Sequence, residues 1–104
     1  MDLKPGMRLR SVACDTEVIV VRGSKDENRE LTCGGRRMSP VEATRPDYQP
    51  AAVGLDGGTV LGKRYTPADS DDPEVLVVRA GTGTLAVGST PLVVKEPRVL
   101  PSSD

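Results

Sequence analysis

Apolar residues along this chain gather in short valine-rich runs bounded by glycine, proline and charged residues, and they do not recur at helical spacing. Glu17-Val18-Ile19-Val20-Val21-Arg22 and Glu74-Val75-Leu76-Val77-Val78-Arg79 each hold an unbroken aliphatic run between charged ends. A run of that kind predicts a strand covered on both faces. Shorter β-prone stretches lie on either side. A first strand is expected near residues 7–13, with a counterpart near 59–65. Hairpins are expected at 30–33 and 36–39 across Gly34-Gly35, and at 84–87 and 91–95 across Gly88-Ser89. Two-residue glycine turns suit these positions because the primed turns need positive φ.

The two halves resemble each other. Glu17–Gly23 matches Glu74–Ala80 at five of seven positions, with Ile for Leu and Gly for Ala at the others. Downstream, Leu31-Thr32-Cys33-Gly34-Gly35-Arg36-Arg37-Met38 aligns with Leu85-Ala86-Val87-Gly88-Ser89-Thr90-Pro91-Leu92. Upstream, Gly6-Met7-Arg8-Leu9 can be laid on Gly58-Thr59-Val60-Leu61. Matching segments in one order point to an internal duplication. Repeat 1 spans 6–43 and repeat 2 spans 58–97. A Pro/Gly-rich spacer (44–57) joins them and a tail (98–104) follows, all within a single domain over 1–104. The expected fold is all-β: a small barrel or sandwich of two pseudo-symmetric β-repeats with about six to eight short strands. Packing the halves together would bury faces that neither could bury alone and would limit exposed edges.

Composition narrows the chemistry. The chain has 104 residues, no His, Trp or Phe, two Tyr and a formal net charge of −1. Without His there is no Ser-His-Asp or Cys-His nucleophile system, so an enzyme is the least expected class. A near-neutral, ring-poor chain lacks the basic face and stacking platforms of a nucleic-acid binder. No apolar run approaches membrane-spanning length, and no basic segment followed by an apolar stretch opens the sequence, so a cytoplasmic location is expected. The valine content (14 residues, against nine Leu and one Ile) agrees with sheet structure.

The second repeat shows what the architecture needs, so differences from it single out candidate residues. Cys14 falls opposite Asp71 and Cys33 opposite Val87. Neither thiol is therefore demanded by the repeat. Cys33 reads as a small buried hydrophobe in place of valine. Together the thiols could also form a disulfide, or bind zinc or iron as two of four thiolates shared across a homodimer. Arg36-Arg37 replaces Thr90-Pro91 and could hold a carboxylate or phosphate. The connection Ser24–Arg29, long and charged, replaces Gly81-Thr82-Gly83 and carries Lys25. Two four-stranded halves with a lysine at a hairpin are similar in layout to lipoyl and biotinyl carrier domains. The biotinyl Met-Lys-Met is absent, however, and Ser24-Lys25-Asp26 departs from the lipoyl Asp-Lys-Ala. Gly57–Lys63 fits G-x-x-x-x-G-K, but Arg64 stands where Ser or Thr would hold magnesium, and a strand is expected where a helix should follow. It reads as a glycine-rich turn.

The expected function is a non-enzymatic binding or assembly module, homo-oligomeric or meeting a protein partner. Its functional face lies on repeat 1, with Lys25, Arg36 and Arg37 as candidate binding residues. The alternative is a thiolate metal protein that holds zinc or iron through Cys14 and Cys33.

Overall fold

A computed structural model describes residues 3–24, 30–44 and 47–95. Nine strands form among them: β1 (Arg8–Arg10), β2 (Glu17–Arg22), β3 (Leu31–Cys33), β4 (Arg36–Arg37), β5 (Ser39–Pro40), β6 (Arg64–Pro67), β7 (Glu74–Arg79), β8 (Leu85–Val87) and β9 (Thr90–Val94). All pairings are antiparallel, in one sheet of order β4-β3-β8-β9-β6-β7-β2-β1-β5. The end strands β4 and β5 are separated by Met38 alone. The chain itself thus carries the sheet round from one end to the other, giving a nearly closed barrel. The count exceeds the six to eight strands expected, because the run Arg36–Pro40 divides at Met38 to serve both ends.

The interior is aliphatic. Leu9, Val18, Val20, Met38, Val75, Val77, Leu85 and Val87 are fully buried. The two central strands, β2 and β7, lie side by side with Val18 opposite Val77, Ile19 opposite Leu76 and Val20 opposite Val75. Here an expectation is corrected: their valine runs are not covered on both faces. Val18, Val20, Val75 and Val77 point inward, while Ile19 and Leu76 are half-buried and Val21 is exposed. A barrel wall has one inner face, and successive strand residues alternate across it.

Both first strands are shorter than the pattern suggests. β1 ends at Arg10, where a turn begins. β6 starts at Arg64, five residues later than the 59–65 stretch implied. Val60–Lys63 forms a turn instead, closed by a Lys63 N–H···O Val60 bond of 3.2 Å with Gly62 at φ +82°. Val60 and Leu61, which read as strand residues, are exposed there.

The described part of the spacer is ordered across the first hairpin. Ala52 N–H donates to Gly34 O at 2.8 Å, and Thr84 N–H donates to Leu55 O at 3.0 Å. Gly34 and Gly35 have φ of +64° and +80° in the hairpin turn, and a Cβ on Gly34 would come within 2.9 Å of the Ala51 methyl. Only glycine meets both demands.

Candidate functional site

After β1 the chain folds into a tight turn, Ser11–Thr16. Ser11 N–H donates to Thr16 O at 2.8 Å. The Ser11 hydroxyl oxygen accepts from the Ala13 and Cys14 N–H groups at 2.9 and 3.1 Å. A serine that accepts from amides two and three residues on holds a bend, which explains why β1 stops. Buried Val12 and Ala13 anchor the turn, and Cys14 is presented at its end, half-buried.

Cys33 ends β3 and is fully buried. Its sulfur lies 3.6 Å from that of Cys14. The fold thus brings together two thiols 19 positions apart in the sequence. The β7–β8 connection roofs the pair. Gly83 N–H donates to Cys14 Sγ at 3.3 Å. A Cβ on Gly83 would lie 2.8 Å from Cys33 Sγ, and one on Gly81 would overlap Thr16 and lie 2.8 Å from Cys14 Sγ. Neither glycine has positive φ. The roof needs glycine for closeness, not for backbone freedom.

The two sulfurs sit in different environments. Burial works against the Cys14 thiolate, but hydrogen bonds outweigh it and pull the thiol down to about 7. Those bonds come from the Ser11 and Thr16 hydroxyls and from the backbone at Thr16 and Gly83. Ser11 Oγ lies 3.5 Å and Thr16 Oγ1 3.2 Å from the Cys14 sulfur. Because the Ser11 oxygen already accepts two amides, its own proton is free to turn toward a thiolate. Thr16 Oγ1 has Thr59 Oγ1 at 3.1 Å as its other hydroxyl neighbour. Cys33 behaves in the opposite sense. Burial, reinforced by the facing Cys14, pushes its thiol up to about 11 despite hydrogen bonds from the same hydroxyls. At neutral pH Cys14 is about half thiolate beside a protonated Cys33.

No group of three or more Cys, Asp or Glu among the described residues could hold an ion. Zinc or iron would need ligands from a second chain, and Cys33 has no exposed surface to present to one.

The other residues singled out by sequence lie apart. Arg36 and Arg37 form β4 and line a groove of about 540 Å³ with Val12, Met38, Pro40 and Gln49. Arg36 Nε donates to Pro50 O at 3.0 Å, and Arg37 forms a 2.8 Å ion pair with Glu30. Lys25 and most of its charged loop lie outside the described residues.

Sequence reasoning passed over Ser11, Thr16, Thr59, Gly81 and Gly83. The available signal was local: hydroxyl residues three before and two after Cys14, and a connection with two glycines in three positions. The thiols come from the first half of the chain and their roof from the second. No described helix is long and apolar enough to cross a membrane. Comparison with family models, curated proteins and solved structures finds no match to this chain.

Proposed function

We propose that this protein is a small β-barrel carrying a dithiol–disulfide couple, with Cys14 as the attacking thiol and Cys33 as the resolving one. The 3.6 Å sulfur separation carries this reading. In thiol–disulfide exchange, an attacking thiol with a pKa near ambient pH is close to optimal. The Cys14 thiolate attacks one sulfur of a small disulfide, RS–SR, forming a mixed disulfide and releasing RS⁻. Cys33 then gives its proton to the medium and attacks the Cys14 sulfur, releasing the second RS⁻. The chain loses two electrons and two protons, and the disulfide ends as two RSH.

The test is an equilibration of the full chain across glutathione redox buffers, followed by alkylation and intact-mass measurement. The expected result is one concerted transition between two free thiols and none, with no glutathione retained. Stable glutathione adducts on each cysteine, titrating separately, would reject the couple.

The barrel that holds it is proposed to be two copies of one β-unit, aligned slightly differently from the sequence match. Gly6-Met7-Arg8-Leu9 corresponds to Gly62-Lys63-Arg64-Tyr65, and not to residues 58–61. Support comes from matched hydrogen bonds. Gly6 N–H donates to Val20 O at 2.8 Å and Gly62 N–H to Val77 O at 2.9 Å. Gly34 N–H donates to Thr84 O at 2.9 Å and Gly88 N–H to Glu30 O at 3.0 Å. The ion pairs Arg8–Glu17 and Arg64–Glu74 fall at equivalent positions too.

A second reading, a binding module with its face on repeat 1, is favoured by the groove that brings Arg36 and Arg37 together. A small polycarboxylate such as citrate, titrated into isotopically labelled protein, is expected to shift the amide signals of Gly35–Met38. Unmoved signals at millimolar citrate would remove this reading.

A further inference from the structure

Cys14 opens into a cleft of about 90 Å³ walled by Arg10, Ser11, Asp15, Thr16, Glu17 and Arg79. Strand register sets this wall. Glu17 of β2 faces Arg10 of β1 on one side and Arg79 of β7 on the other. Asp15 belongs to the turn that carries Cys14. The cleft that Cys14 lines thus carries two cationic and two anionic side chains, neutral in sum and strongly polar.

The four charges are unequally committed. Glu17 pairs with Arg8 at 3.9 Å, and Arg10 Nη2 donates to Ala43 O at 3.1 Å. Arg10 Nε is buried without an acceptor among the described residues. Arg79 and Asp15 make no side-chain hydrogen bond or ion pair among them. One available cation and one available anion thus stand at a cleft that Cys14 also lines. The space exceeds what one water needs but is about a sixth of the groove beside Arg36. It has room for a head group of a few heavy atoms.

We infer that the disulfide exchanged at Cys14 is small and zwitterionic, of the cystine class, its carboxylate taken by Arg79 and its ammonium by Asp15. This rests on the dithiol reading above and adds the substrate class. Guanidinium against carboxylate is the directional half of the recognition. The anionic side discriminates against disulfides that carry only negative charge.

The test measures oxidation rates of the reduced full chain by four small disulfides: cystine, cystamine (ammonium only), dithiodiglycolate (carboxylate only) and 2-hydroxyethyl disulfide (uncharged). Each rate is divided by that of an unstructured cysteine peptide with the same reagent, which removes intrinsic reactivity. Cystine is expected to lead the other three by about tenfold, within the range charged clefts add to association. Arg79→Glu is expected to shift the preference toward cystamine, and Asp15→Lys toward dithiodiglycolate. Equal normalised rates, or a lead by any reagent other than cystine, would overturn the substrate assignment while leaving the dithiol couple intact. Failure of all four to oxidise the pair would overturn the couple itself.

Discussion

Replacing Thr16 by valine removes one oxygen from beside the Cys14 sulfur and leaves the shape nearly unchanged. Thr16 is fully buried, its Oγ1 lies 3.2 Å from that sulfur and 3.1 Å from Thr59 Oγ1, and it also hydrogen-bonds the Cys33 thiol. Thr59 keeps a partner after the change, since its oxygen still accepts from Gly81 N–H at 2.9 Å. The perturbation therefore falls on the two sulfurs, and reading the cysteines separately isolates its effect on Cys14. A hydrogen bond to a charged group contributes about 1.5–3 kcal/mol. At about 1.4 kcal/mol for each tenfold change, its loss raises the Cys14 titration midpoint by about one to two units. The sign follows from which form is stabilised: the hydroxyl proton favours the thiolate, so removing it moves the midpoint up from about 7. The assay is the rate of iodoacetamide alkylation between pH 5 and 10, read by mass spectrometry on peptides that separate the two cysteines. At pH 7 the reactive fraction is expected to fall from about half to a tenth or less. A midpoint that stays within about 0.3 unit of the parent would show that the hydroxyl does not hold the thiolate, and the reasoning from Ser11 and Thr16 would fail.

Three further outcomes follow from the same geometry. Cys33→Ser places a hydroxyl in an aliphatic interior and is expected to cost about 1–3 kcal/mol in urea unfolding; Cys14 stays reactive, but its mixed disulfide with glutathione now accumulates in the intact mass. Gly83→Ala pushes a methyl toward Cys33 Sγ (2.8 Å) and Gly34 N (3.0 Å); it is expected to destabilise by about 1–3 kcal/mol and to raise the Cys14 midpoint as its Gly83 N–H bond lengthens. Glu74 is buried and bonded to Lys95 at 2.7 Å and Arg64 at 3.4 Å, and Lys95 first, then Arg64, holds its carboxyl below the usual range against the cost of burial. A carboxyl lowered on folding adds stability above its unfolded pKa and loses it as pH falls through the folded one. Lys95→Met is therefore expected to cost about 1 kcal/mol at pH 7, a figure reduced because Lys95 is partly exposed, and little once acid has protonated Glu74. An equal loss at both ends of the pH range in thermal melts would contradict that.

How far the sequence could be read depended on the range of the interaction. The central strands 17–22 and 74–79 and both glycine turns fall where the pattern places them, because each is set by neighbours within a few residues. β6 was misplaced because Thr59-Val60-Leu61 is as β-prone as any strand here. What makes it a turn is Gly62 and a hydrogen bond from Gly62 to Val77, far along the chain. The unshared thiols could be picked out by comparing the repeats, but their contact could not. It depends on the Ser11–Thr16 turn lying over the end of β3, and on a roof from a connection that read as an ordinary short turn. Arg36 and Arg37 were legible as residues without a counterpart. That Glu30 takes Arg37 follows only from the pairing of β3 with β4.

On the proposed duplication, Ser11 corresponds to Pro67 and Thr16 to Pro73, at the two ends of the matching turn. Proline has no N–H, so the second copy cannot make the bond from the first of these positions to the last that shapes the first turn. It also has no hydroxyl at either place to turn toward a sulfur. Asp71 and Val87 stand where the thiols would be. The β2–β7 and β3–β8 ladders, by contrast, pair residues of like kind across both halves, with Val18 against Val77 and Leu31 against Val87. On that proposal, the positions alike in both halves are those of the barrel wall. The proposed chemistry would occupy the Ser11–Thr16 turn of the first half, together with a glycine roof, Gly81 and Gly83, from the second. Such a division lets a reactive thiolate sit beside an aliphatic core without making the core polar. Only Cys33 belongs to both, and its burial keeps it protonated until Cys14 has reacted.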